Sequence, residues 1–145
     1  MGTLAYMSPE QALGDPREVD VRSDVYALGV ICYELLSGRL PYQVSKRLHE
    51  AVLMIRQEDP APLSSIDRAY RGDVDTIVAK ALEKDKERRY APAADLAADI
   101  RRYLADEPIL ARPASTAYRA QKFARREKAL VAGVAAVLWP LRQAS

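Results

Sequence analysis

Cysteine, histidine, phenylalanine and tryptophan each occur once in the 145 residues. A single Cys32 cannot close a disulfide, and it excludes a cysteine-based zinc site. A single His49 excludes a multi-histidine metal site. Charge of one sign is not in large excess either. The formal net charge is +2, too small to imply nucleic acid by itself. At the front, Met1-Gly2-Thr3-Leu4 has no basic flank and Glu10 interrupts any apolar run, so no signal peptide is visible. What is plentiful is ordinary core material. Hydrophobic residues make up 49% and charged residues 29%, which excludes disorder and collagen-like sequence.

The charge is unevenly placed. Residues 1–100 carry 13 Lys and Arg against 17 Asp and Glu, a balance of −4, whereas residues 101–128 carry 8 against 3, a balance of +5. The basic excess therefore precedes the apolar tail, Ala129 to Leu141. That tail is 13 residues, about 20 Å as a helix, where a bilayer core asks for roughly 20 residues. Pro140 and Arg142 interrupt it further.

Along the chain the spacing predicts helices and no strand. Ser8-Pro9-Glu10 suits a short helix, with Ser8 as cap and Pro9 at the first position, and Gly14-Asp15-Pro16 ends it. Residues 22–37 form a strong helix with Ser23 or Asp24 as its cap and Ser37-Gly38 as its end. Residues 46–57 read as a shorter amphipathic helix, and residues 58–72 as a long connection. Asp73 is expected to cap the helix 73–84, whose apolar face is Ile77, Val78, Ala81 and Leu82. Another helix opens near Pro92 and carries Leu96, Ile100, Tyr103 and Leu104. Pro108 and Pro113 bracket a linker. Beyond it, Ser115 to Trp139 reads as one long helix.

Most singly notable residues read as structural. Cys32 fits an inert core thiol, His49 a solvated surface, and Tyr26 and Tyr42 packing aromatics. Asp95 and Asp99, four apart and beside Arg101 and Arg102, read as a charged outer face.

The helix 22–37 poses the physical problem. Val25, Leu28, Val30, Ile31, Leu35 and Leu36 cover more than one stripe, and a helix apolar nearly all round is usually buried inside a larger body. Each large apolar side chain left wet forfeits about 1.5–3 kcal/mol. Two readings follow: a piece of a bigger domain, or a compact four-helix domain that encloses this helix.

Four motifs decide which family the chain resembles. They are Gly2-Thr3-Leu4-Ala5-Tyr6-Met7-Ser8-Pro9-Glu10, Asp20-Val21-Arg22-Ser23-Asp24-Val25-Tyr26-Ala27-Leu28-Gly29, Ser37-Gly38-Arg39-Leu40-Pro41-Tyr42, and Lys84-Asp85-Lys86-Glu87-Arg88-Arg89-Tyr90. In this order they resemble the C-terminal half of a protein serine/threonine kinase catalytic domain of the bacterial, eukaryotic-type, membrane-anchored kind. Lys86 stands where that family usually has proline. The resemblance covers about residues 2–104. It implies a mainly α fold, the helical large lobe of the kinase fold, with the small lobe and catalytic loop missing. The implied organisation is a partial kinase domain over 1–104, a linker over 105–114, a basic juxtamembrane helix over 115–128, and the apolar segment 129–141 as a shortened transmembrane helix.

The resemblance also assigns roles. Thr3 matches the threonine that contacts the catalytic aspartate and lysine and marks Ser/Thr substrates. Leu4, Tyr6 and Met7 belong to the loop that receives the substrate residue after the phosphoacceptor. Glu10 matches the acid that pairs with a buried arginine, here Arg89. Asp24 matches the aspartate that caps the catalytic loop. These last three are structural positions.

The groups that do the chemistry in such kinases are a Gly-rich loop, a phosphate lysine, a catalytic-loop aspartate and asparagine, and a D-F-G aspartate for magnesium. In the family all of them precede the segment beginning at Gly2, and none occurs here. No catalytic, cofactor-binding or metal residue is therefore assigned. ATP and magnesium belong to the parent family, and the chain alone is expected to be inactive. The expected partners are protein substrates or a kinase partner chain, with membrane contact through 119–141 and no nucleic acid. The expected location is cytoplasmic, with membrane association left open by the tail. The tail reads equally as a soluble helix docking back on the domain, and its ending suggests truncation or a frame change. Two further alternatives remain: a non-catalytic helical binding module, and a truncated gene product without function.

Overall fold

The computed structural model describes residues 4–43, 47–113 and 115–143. Among the described residues seven α-helices carry the fold: α1 (Pro9–Leu13), α2 (Val21–Ser37), α3 (Leu48–Gln57), α4 (Asp73–Ala81), α5 (Ala93–Leu104), α6 (Thr116–Arg126) and α7 (Lys128–Gln143). Short 3-10 turns link them, and there is no strand among the described residues. The mainly helical expectation holds.

Local chemistry explains most of the helix ends. Ser8 caps α1 with its hydroxyl, and Gln11 reaches back to the Ser8 backbone N–H. Gly14 then turns left-handed at φ 77°, a region where glycine alone pays no Cβ penalty. Gly38 ends α2 in the same way at φ 74°. The cap of α2 differs from the sequence expectation. Asp20, not Ser23 or Asp24, is the cap and accepts the Arg22 N–H, and the helix starts at Val21, one residue before the expected position. Asp73 is not a cap either. Gly72 occupies that position, and Asp73 is the first helical residue.

Two apolar clusters form the core. Val25, Ile77, Ala81, Tyr90, Leu96, Ile109 and Tyr118 make one, and Tyr26, Val30, Tyr33, Leu63, Val78 and Leu82 the other. Helices α2 and α4 supply residues to both and approach closely. A Cβ built on Gly29 of α2 would lie 2.9 Å from the Ala81 Cβ, closer than side chains pack.

Only one side of α2 is covered. Val25, Tyr26, Gly29, Val30 and Tyr33 are buried, whereas Leu28, Ile31 and Leu35 remain exposed, Leu35 by 79%. The exposed residues recur at helical spacing and form a stripe along one face. The four-helix alternative, in which the other helices enclose α2, therefore does not form. Helices α4 and α5 each bring one apolar face, and both lie on the same side.

The segment after residue 104 departs most from expectation. Its linker is part of the core, with Ile109 2% exposed. The Leu110 and Ala111 N–H groups donate to the two Asp99 carboxylate oxygens at 2.7 and 2.9 Å. Asp99 also accepts from the Tyr90 hydroxyl at 2.9 Å and from Arg102 at 2.8 Å, and it is fully buried. The charged outer face expected for Asp99 is thus corrected. Its carboxylate is an internal clamp on the strap 109–111.

The expected single helix 115–139 is two helices. Glu127, at φ −109° and ψ 47°, separates α6 from α7. α6 docks on the body through Tyr118 and Lys122, whereas α7 buries no residue. α7 continues through Pro140, and no helix among the described residues is long and apolar enough to cross a membrane.

Candidate functional site

The stretch 4–10 is shaped by four attachments. Leu4–Tyr6 makes one 3-10 turn beside α2, and the Tyr6 hydroxyl donates to Glu34 Oε2 of that helix at 2.5 Å. This hydrogen bond to a carboxylate raises the tyrosine pKa, aided by partial desolvation and the Glu34 charge. Met7 is half-buried and Ser8 fully buried in its cap. The fourth attachment is Glu10. Gly2 and Thr3 lie outside the described residues.

Glu10 and Arg89 form a buried, two-pronged ion pair. Arg89 Nη1 donates to Oε1 at 2.5 Å and Nη2 to Oε2 at 2.7 Å. Ser23 Oγ donates to the same carboxylate at 2.8 Å. The remaining guanidinium N–H groups donate to the carbonyls of Glu83 (2.7 Å), Arg22 (3.0 Å) and Lys84 (3.2 Å). The Arg89 plane also lies over the Tyr26 ring, 5.1 Å from its centre. Burial alone pushes the Glu10 carboxyl up. Hydrogen bonds from Arg89, the local backbone and Ser23 outweigh it, with the Arg89 charge, and hold the group at about 2. A fully hydrogen-bonded pair of this kind is what makes a buried charge tolerable. It ties three separate stretches together: the first turn of α1, the first turn of α2, and the segment before α5.

Lys86, where the resemblance expects proline, has its own structural work. Its ammonium donates to the Glu18 carbonyl at 2.8 Å and pairs with the Glu18 and Asp20 carboxylates at 3.2 and 3.4 Å. It steadies the residue that caps α2. Asp24 is exposed in the first turn of α2.

The structure thus brings Leu4, Tyr6, Met7, Glu10 and Arg89 to one edge of α2, with Asp24 on the exposed face of the same helix. Residues 4–7 carry no group that titrates near neutral pH. Among the described residues, Leu4 to Met7 present backbone and apolar surface at this edge, and Glu10 and Arg89 are engaged with each other. Cys32, half-buried in α2, has its thiol pushed up by burial and is a poor nucleophile.

Sequence reasoning missed three polar residues of structural weight: Asp73, Asp99 and Lys122. Asp99 had a readable signal, because it falls on the same stripe as Leu96, Ile100 and Tyr103. Lys122 sits inside the basic segment expected to contact a membrane. Its ammonium is instead buried and paired with Asp73 Oδ2 at 2.6 Å.

The comparisons agree with this geometry. A protein kinase domain family model matches residues 1–100. Serine/threonine-protein kinase PknB of Mycobacterium tuberculosis is 44% identical over 108 residues, covering 74% of this chain and 17% of that protein. Serine/threonine-protein kinase PksC of Streptomyces coelicolor is 42% identical over 93 residues, covering 64% of this chain and 16% of that protein. The chain spans about a sixth of the length of these relatives. With its Glu10–Arg89 pair intact and the family match running from the loop before α1 into α5, this chain belongs to the protein kinase domain family and holds part of a bacterial serine/threonine kinase domain.

Proposed function

We propose that the chain is the substrate-side, C-terminal half of a serine/threonine protein kinase catalytic domain and that by itself it transfers no phosphoryl group. The parent reaction moves the γ-phosphoryl of ATP to a protein Ser or Thr hydroxyl. Phosphoryl transfer rests on positioning and charge stabilisation by the Gly-rich loop, lysine, catalytic-loop and metal-binding groups. The sequence contains no H-R-D, D-F-G or G-x-G-x-x-G. The observation that carries the reading is the Glu10–Arg89–Ser23 junction. It fixes the loop of Leu4, Tyr6 and Met7 against α2, as a substrate-side scaffold requires.

In the assay, purified chain is incubated with ATP, magnesium and a generic Ser/Thr peptide. No incorporation above the protein-free control is expected, and ATP-dependent phosphorylation would overturn the proposal.

A second reading concerns the tail. Leu130, Val134, Val137, Leu138, Trp139 and Leu141 of α7 are all exposed, directly after basic α6. This combination favours contact with a membrane surface rather than a span. Pelleting with anionic vesicles that a carbonate wash reverses supports the contact, and full recovery in the soluble fraction counts against it.

A further inference from the structure

Charge is unevenly balanced in the cavities of this molecule. The cleft beside Tyr90 is mixed, with Arg22, Lys80, Arg89 and Arg102 facing Glu87, Asp95 and Asp99. A second cavity, of about 160 Å³, opens between the start of α4 and α6. Arg71, Arg112, Lys122 and Arg125 line it against one carboxylate, Asp73. Asp73 is already engaged. It pairs with Lys122 at 2.6 Å and Arg112 at 3.3 Å, and lies 3.0 and 3.1 Å from the Tyr118 hydroxyl. Arg71 and Arg125 are exposed, and neither side chain has an ion pair or hydrogen bond among the described residues.

The site is built rather than accidental. Lys122 and Asp73 are buried, and the Arg112 guanidinium lies over the Tyr118 ring, 4.3 Å from its centre, so this wall is fixed. A Cβ at Gly72 would meet nothing within 4 Å, so the floor is open. Like charges gathered around one cavity repel, and a bound anion removes that cost. Guanidinium groups match the oxygen geometry of phosphate, each offering two parallel N–H donors.

We propose that this cavity binds a phosphate group, with Arg71, Arg112 and Arg125 as its cations and the Asp73–Lys122 pair as its rigid wall. The group can arrive as free phosphate or as a phosphomonoester lipid headgroup. The second source suits the position of α6, which leads straight into the exposed apolar residues of α7.

The test titrates inorganic phosphate into the full chain at low, constant ionic strength and follows backbone and arginine side-chain NMR signals. Saturable shifts confined to residues 71–73, 112 and 121–125 are expected. Arg71→Gln and Arg125→Gln each replace an exposed, unpaired side chain, and each should weaken binding roughly tenfold while leaving the circular dichroism spectrum unchanged. Phosphatidic-acid vesicles form the second arm. Vesicle binding that weakens in both variants and is competed by phosphate assigns the headgroup. Phosphate shifts without vesicle binding assign the free anion. Shifts that chloride reproduces, that fail to saturate, or that persist unchanged in both variants overturn the site.

Discussion

Replacing Glu10 by glutamine leaves the Arg89 guanidinium buried without its counter-charge. Breaking a buried pair from one side costs about 3–5 kcal/mol. Glu10→Gln is therefore expected to lower unfolding stability by that amount in urea titration. Removing both charges with a Glu10→Met, Arg89→Met double change should cost less than the two single changes together. The pair also sets the acid response. The carboxyl titrates at about 2 when folded, against 4.5 when free. Below pH 4.5 the unfolded chain binds a proton that the folded chain refuses. Stability is thus fully present above that pH and falls by about 3 kcal/mol as pH drops through the folded value. In Glu10→Gln that part of the slope should vanish. At this scale the sequence was legible where local motifs carry the meaning. Glu10 and Arg89 stand 79 residues apart, and their pairing came from the family motifs. Asp73 and Lys122 were not legible, because their partners are brought together only by docking of α6, whereas the inward position of Asp99 showed in its spacing with Leu96, Ile100 and Tyr103 and only its strap partners did not.

Helix α2 meets α4 across Gly29, and that contact leaves no room for a methyl group. Gly29→Ala gains some helix propensity, about 0.5–1 kcal/mol. It also forces a 2.9 Å clash with Ala81, and overpacking of this kind costs about 1–3 kcal/mol. A net loss of stability in thermal melting is expected, although alanine normally favours helices. The C-terminal elements separate by burial. Cutting after residue 104 removes Ile109 and Tyr118 from the core and takes the two strap N–H donors from the buried Asp99 carboxylate, leaving it Tyr90 and Arg102. Cutting after residue 126 removes only α7, which buries nothing. The first truncation should lower the melting temperature strongly or abolish a cooperative transition, and the second should leave it nearly unchanged. Helix periodicity predicted the apolar face of α4 correctly. It could not distinguish α6 from α7, since no breaker marks Glu127, and the split is fixed by where α6 packs.

The whole molecule presents an incomplete surface. The stripe of Leu28, Ile31 and Leu35 along α2 stays exposed, as do the apolar residues of α7. Contiguous patches of this kind mark docking surfaces or aggregation liabilities. Leu35→Glu is expected to reduce self-association in analytical ultracentrifugation while changing stability by less than about 0.5 kcal/mol, the usual size for an exposed site. A large loss of stability would instead show that Leu35 is packed in solution. The sequence alone determined the helical class, the glycine stops of α1 and α2, the all-round apolarity of α2, and the absence of the phosphate-handling motifs. Each of these is a property of residue type and short spacing. The tertiary structure decided which side of α2 is covered, that the expected linker belongs to the core, and that four cations converge on one cavity. Those depend on helices meeting across tens of residues, a distance over which periodicity carries no information.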